Sequence, residues 1–330
     1  MRILYIYRNP EMGISIGRVF RSIEQSMKQY CEVQSIYMPM NDYKPLSLWK
    51  NISYVQKELK NTHYDIIHIT GAEHYLIPSL KKYKVIVTVH DLGFYTNQEF
   101  GLRSVWKYFL WIKTLKFADR ITFISEKSRL EAKRLLNFHQ GQDIVVHNPI
   151  DSDFKYIAKQ INKDCPTILQ VGTKPNKNLN NTIVALRNFK CKLRIVGKLD
   201  TYQKALLQIY HIDYSNVSDL TDEEIKLEYE HCDIVNFPSF YEGFGMPIIE
   251  GQAIGRVVVT SNLSPMKELA GQGAVLVNPA DVDSIRYGYK IAMINADTYV
   301  DKGLINVRSY NIETIVERYF NLYKELCLCE

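Results

Sequence analysis

Two glutamates and two lysines stand out, because each pair sits in a turn that follows a short apolar run. Glu242 and Glu250 enclose the stretch Glu-Gly-Phe-Gly-Met-Pro-Ile-Ile-Glu, directly after the run at 233–237. Pro247 stands where a helix would start, a place where the amide it lacks would have no intrahelical partner. Such a turn aims the backbone amides of Gly243, Phe244, Gly245 and Met246, with the positive end of a helix dipole, at whatever lies above the strand. That arrangement suits an anion such as phosphate. A strand, a turn and a helix start whose acids merely complement the dipole would read the same way.

Lys174 and Lys177 lie in a second turn, 172–178, after the apolar run 167–171. A lysine at a strand end presents a compact charge suited to a diphosphate. If both turns open on one sheet edge, the lysines and the amides converge on a single polyphosphate, and Glu250 can accept two hydrogen bonds from a vicinal diol such as a ribose. A solvated lysine loop unrelated to the glutamates is the plainer alternative. His90 follows the run 84–89 directly, in His90-Asp91-Leu92-Gly93. A lone histidine is commonly a satisfied polar group, so its place at a strand end is what marks it.

The elements that must position these residues alternate along the whole chain. Short apolar runs at 3–7, 33–37, 65–69, 84–89, 120–124 and 143–146 are separated by amphipathic stretches at 18–30, 49–60, 104–117 and 126–136. A second series has runs at 167–171, 193–196, 217–220, 233–237, 257–260 and 274–277, with helical stretches at 179–189, 202–210 and 222–230, and a last helix at 311–327. Alternation of this kind predicts parallel sheets covered on both faces, with function at the carboxyl ends of the strands. Two series predict two Rossmann-like domains facing each other across a cleft: 1–150, 151–305, and a terminal helix at 306–330 crossing back to the first. Gly13 and Gly17 in the first loop do not match the Gly-x-Gly-x-x-Gly fingerprint of dinucleotide sites.

Composition narrows the class. At 330 residues the chain exceeds the usual single core, and an apolar content of 46% is that of a globular protein. A net charge of +5 suits an anionic ligand or contact with a membrane surface, and is too small to point to nucleic acid. The start Met-Arg-Ile-Leu-Tyr-Ile-Tyr-Arg has no signal-peptide core, no apolar run approaches a membrane span, and the cysteines show no framework or zinc spacing. A reducing cytoplasm is the expected setting. The helix around Trp106 to Lys116 mixes aromatics with lysines; it reads either as a membrane-surface helix, giving peripheral contact with the inner face of the membrane, or as a core helix with solvated lysines, which is the commoner case.

The motifs together resemble the retaining glycosyltransferases of family 4, which have the GT-B fold. Glu242 to Glu250 resembles the family's Glu-x7-Glu signature, 171–178 its loop ending in Lys-Asn, 89–92 its histidine loop, 118–125 a strand ending in Ser, and 261–268 the loop after the signature helix. The resemblance implies a transfer of sugar from a nucleoside-diphosphate sugar to a hydroxyl acceptor, glycan or lipid-linked, with no metal and no other cofactor. It implies that Lys177 contacts the diphosphate, Glu250 the ribose, Glu242 and His90 the donor sugar, and 244–246 sugar and phosphate through amides. Gly17 would let the first loop approach the diphosphate, Thr173 and Lys174 would flank it, and Lys198 and Leu220 would hold the base. Lys174 replaces the family's usual Arg, Gly251 its usual Ala, and Val257 its usual Pro. A nucleotide-sugar-binding subunit with little turnover, or another GT-B enzyme such as an epimerase, remains an alternative reading.

Overall fold

The computed structural model describes residues 1–12, 15–60, 62–96 and 101–328. Gly13 and Cys329 lie outside them. The chain forms two compact units, Met1–Pro149 together with Ile312–Glu330, and Ile150–Asn311. Each is an all-parallel sheet of six strands with helical connections.

In the first unit the strands are β1 (Arg2–Tyr7), β2 (Glu32–Tyr37), β3 (Ile66–Ile69), β4 (Lys84–Val89), β5 (Arg120–Phe123) and β6 (Asp143–Val145), in the order β2-β1-β3-β4-β5-β6. Successive strand residues face opposite sides of the sheet, so β1 supplies two cores. Leu4 and Ile6 join Ile67, Ile69, Val85, Val87 and Leu115 on one face. Ile3, Tyr5 and Tyr7 join Phe20, Ile23 and Met27 of the helix Ser15–Met27, and Ile315, Tyr319 and Tyr323 of the helix Ile312–Leu328, on the other. Burial on both faces is why β1 and β4 read as largely apolar runs.

The second unit has β7 (Thr167–Val171), β8 (Lys192–Val196), β9 (Tyr214–Val217), β10 (Ile234–Phe237), β11 (Val257–Ser261) and β12 (Ala274–Val277), in the order β12-β11-β10-β7-β8-β9. This is the doubly wound order in which the chain builds outward from β7, then returns to lay β10 on its other side.

Three expectations are corrected. The strand expected at 217–220 is β9 at Tyr214–Val217, so Leu220 sits in the loop beyond it. As an edge strand, β9 exposes Tyr214, Ser215 and Asn216, which hid it from a search for apolar runs. Gly17 lies inside the helix Ser15–Met27 rather than in the loop before it, and a Cβ there would meet only the end of Arg21, at 3.3 Å. The expected helix at 104–117 is three pieces: Leu102–Lys107, a wider π-turn at Tyr108–Ile112, and a tighter turn at Lys113–Phe117. Two helices unanticipated from the sequence, Val282–Ile294 and Ala296–Val307, complete the second unit. The first of them is capped by Asp281, whose carboxylate accepts from the amides of Asp283 and Ser284.

Candidate functional site

In the second unit the strand order reverses between β7 and β10, the place at which open α/β sheets take their ligands. Lys177 comes from the first of these loops and Glu242 from the second. The Lys177 Nζ lies 2.7 Å from Glu242 Oε1 and 4.6 Å from the centre of the Phe237 ring. The pair is neither free nor sealed: the side chains are 22% and 12% exposed, open enough for an anion to compete for the ammonium. Gly172 has φ +91°, and a Cβ on it would come within 3.0 Å of Lys177 Cγ. Only glycine lets the lysine stem lie across the backbone at that point.

The lysine loop is held from three sides. It closes as a short turn, Pro175–Lys177, with the Lys177 amide donating to the Lys174 carbonyl at 2.8 Å. Asn178 ends it in the left-handed region, φ 60°, and donates to the carbonyls of Pro238 (3.0 Å) and Pro279 (2.7 Å). Asn176 donates to the Tyr241 carbonyl and accepts from the Phe240 amide, lashing this loop to the one that carries Glu242. Underneath, Gln170 Nε2 donates to the carbonyls of Lys177 (3.0 Å) and Gly172 (3.1 Å). Asn236, its register partner on β10, donates to Gln170 and to Thr182 Oγ1, and accepts from the Tyr289 hydroxyl at 2.8 Å. All four side chains are fully buried. A satisfied buried network of this kind holds one geometry, because any rearrangement strands a polar group in a low-dielectric interior.

Glu250 lies one turn into the helix Met246–Ile254, which Gly245 caps at φ 130°; with glycine there, no cap side chain occupies the first-turn amides. A Cβ at Gly245 would press on Ile248 and Leu269 at 3.2 Å. The Tyr229 hydroxyl donates to Glu250 Oε2 at 2.6 Å, and Glu250 is 9% exposed. Arg256, buried, donates to the carbonyls of Tyr229, Glu230 and Ile157, and so fixes the backbone that presents that hydroxyl. Phe244 is buried edge-on against Tyr310, while Gly243 and Met246 are half-buried.

The remaining residues of this unit lie at the neighbouring strand ends. Thr173 Oγ1 donates to the Lys198 carbonyl at 2.7 Å, and Gly197, φ +136°, makes room for Thr173. Lys198 pairs with Asp219 at 3.2 Å in the open, next to half-buried Leu220. Lys174 is exposed at the start of its turn. None of Gln170, Asn236, Tyr229 or Arg256 falls in a motif of the chain. A signal existed for the first two: a lone polar residue near the end of each central apolar strand.

His90 belongs to the first unit, at the end of β4. Its Nε2 donates to the Thr70 carbonyl at 2.9 Å, which leaves Nδ1 as the acceptor nitrogen. Burial pushes its pKa down to about 4, with Arg8 adding to the effect and the Thr70 contact opposing it, so the ring is neutral near pH 7. Nearby His74 is likewise pushed to about 4 by burial, and Glu73 up to about 7 by burial against the pull of Arg8. Among the described residues, no cluster of His, Cys, Asp and Glu is arranged to hold a metal ion.

Two family models cover most of the chain: "Glycosyltransferase Family 4" over residues 18–154 and "Glycosyl transferases group 1" over 151–300. The chain belongs to the GT-B glycosyltransferases of family 4. Sequence and fold relatives agree. O-antigen chain mannosyltransferase B of Escherichia coli is 26% identical over 287 residues, 78% of this chain and 74% of its own length. Sucrose-phosphate synthase of Thermosynechococcus elongatus superposes with a TM-score of 0.83 at 17% identity, covering all of both chains. HepE of Anabaena, solved in complex with UDP-glucose, superposes with a TM-score of 0.75 at 14% identity, covering 98% of this chain and all of its own. In this glycosyltransferase the Lys177–Glu242 pair therefore falls in the group 1 region and His90 in the family 4 region.

Proposed function

We propose that this glycosyltransferase moves a sugar from a nucleoside-diphosphate sugar to a hydroxyl acceptor with retention of configuration, in the assembly of a cell-surface polysaccharide or glycolipid. The observation that carries the reading is the Lys177–Glu242 pair, held at the strand-order reversal over a rigid loop. An arriving diphosphate competes for the Lys177 ammonium and frees Glu242 to accept from the donor sugar. The amides of 243–246 add donors to the developing negative charge; such preorganised electrostatics supply the largest share of most enzymes' acceleration. Glu250, held by the Tyr229 hydroxyl, is assigned to the ribose hydroxyls. Neutral His90 is assigned to the donor sugar. In the transfer the bond from the anomeric carbon to the leaving phosphate oxygen breaks, the acceptor oxygen bonds that carbon on the same face, and its proton passes to the departing phosphate. No metal is assigned a part.

The mannosyltransferase relative and the UDP-glucose complex of the structural neighbour support a nucleotide-sugar donor, and activated mannose and UDP-glucose are the first to test. Thermal melting against a panel of nucleotide sugars tests this: the true donor at a hundred times its Kd adds about 2.7 kcal/mol of stability, and hydrolysis of that donor to free sugar follows. Absence of a shift with every donor would overturn the reading. Binding without hydrolysis or transfer would leave a nucleotide-sugar-binding subunit instead, and activity lost to chelator and restored by a divalent ion would refute the metal-free route.

A further inference from the structure

Trp106, Phe109, Lys113 and Phe117 recur every three or four residues through the segment Leu102–Phe117. The three rings stay about half exposed, at 50%, 51% and 50%, whereas Trp111, Ile112 and Leu115 of the same segment turn inward and are at most 5% exposed. The core thus takes what it needs from this segment and leaves these three rings in water. Lysines accompany the rings: Lys113 Nζ stands 4.8 Å over Phe109, and Lys81 Nζ 5.0 Å over Phe117. Lys81 also lines, with Lys60, Lys82, Gln56, Ser79 and Tyr83, a groove of about 400 Å³ whose lining includes no carboxylate. The helix Pro45–Glu58 extends the same surface, since Gln56 reaches the groove and Trp49, seven residues earlier on the same side, is 63% exposed. From residue 104 to 118 the chain carries three lysines and no Asp or Glu.

This combination discriminates among occupants. Protein interfaces are depleted in lysine, and a twofold contact with a second copy would set this one-signed surface against itself. At a bilayer surface both features are satisfied: aromatic rings settle at headgroup level, and lysine ammoniums reach lipid phosphates. We infer that this face of the first unit docks on an anionic phospholipid bilayer, with Trp106, Phe109 and Phe117 at headgroup level and a lipid phosphate in the groove of Lys60, Lys81 and Lys82. The inference rests on this surface alone and is independent of the donor site.

Co-sedimentation of the full chain with vesicles tests it. Vesicles of phosphatidylglycerol and phosphatidylcholine in equal parts bind the protein, phosphatidylcholine alone does so far less, and added salt releases it. Replacing Lys60, Lys81 and Lys82 together by Gln lowers partitioning about a hundredfold, from about fivefold per charge. Trp106→Ser with Phe109→Ser lowers it about tenfold or more. Both variants keep the wild-type melting temperature. In a Trp49→Phe protein that otherwise retains its surface, brominated lipid quenches Trp106 and spares buried Trp111. Equal vesicle binding by variants and wild type, no binding to either vesicle, or unquenched Trp106 overturns the inference. Concentration-dependent dimers abolished by the same substitutions would assign the face to a second copy and overturn it too.

Discussion

The two sheets reverse strand order at corresponding places, β1 with β3 in the first unit and β7 with β10 in the second, yet they put different chemistry there. The second presents an ion pair at 2.7 Å with both partners partly open, on a loop tied down by amides and carbonyls. The first presents Glu73, His74 and His90 beside Arg8, and burial holds the two histidines neutral and pushes the glutamate to about 7. Further into that sheet, His68 is fully enclosed between Tyr323 and Thr88, with its pKa pushed to about 3. The same architecture therefore yields one site built to hold charge and one that suppresses it. The difference lies in solvent access: the ion pair stays partly exposed, whereas desolvation disfavours the charged forms of the buried histidines and of Glu73.

The largest effect that can break this contrast is on turnover. Lys177→Gln keeps a hydrogen-bond donor for Glu242 and removes the positive charge, so kcat falls about 10²- to 10³-fold while the melting temperature barely moves. Transfer at the wild-type rate would show that the second unit's reversal point does not handle the charge.

Acid separates the units next. A histidine held below its ordinary 6.5 contributes stability above that pH and loses it as pH falls toward the folded value; His68, His74 and His90 each lose about 2 kcal/mol by about pH 5. Glu73 has the opposite sign: raised to about 7, it costs stability above its ordinary 4.5 and returns about 2 kcal/mol over the same descent. The first unit should lose on the order of 4 kcal/mol net, read as faster amide exchange in β3 and β4 than in β7 and β10. Equal loss in both units would erase the distinction. Glu73→Gln sharpens it, stabilising the first unit at about pH 8 and steepening its acid loss.

Smaller effects probe the second unit's supports. Gly251→Ala would place a Cβ 2.9 Å from Val235 Cγ2 and 3.0 Å from Val258 Cγ2, so overpacking there should cost about 1–3 kcal/mol by thermal melting. This close approach is the physical reason for glycine where the family usually has alanine. Tyr229→Phe removes the hydroxyl on Glu250 and should weaken nucleotide binding by about 1 kcal/mol, measured by calorimetry. Unchanged affinity would detach Glu250 from the nucleotide.

Much of this was legible in the chain itself. The runs of β4 and β7 were located to the residue, because strands buried on both faces admit few but apolar side chains, and so was edge strand β12, whose four residues are all apolar although Leu276 is exposed. The turn residues were legible for a related reason: Gly172, Asn178 and Gly245 occupy positive φ, which most other residues resist. Edge strand β9 escaped, since solvent relaxes the requirement for apolar residues. The exposed side of 104–117 escaped as well, because one aromatic-lysine pattern serves a core helix and a surface helix alike.

What the sequence determined by itself was the alternation of strands and helices, the turn chemistry at strand ends and the family those motifs mark. These depend on local backbone preference and on periodic burial, which each short segment carries within it. Tertiary structure alone decided that Lys177 meets Glu242, that Gln170 and Asn236 brace the loop beneath them, that Tyr229 and Arg256 hold Glu250, and that His90 is neutral. Those outcomes join residues far apart in the chain, and desolvation and hydrogen-bond satisfaction act only once the packed interior exists.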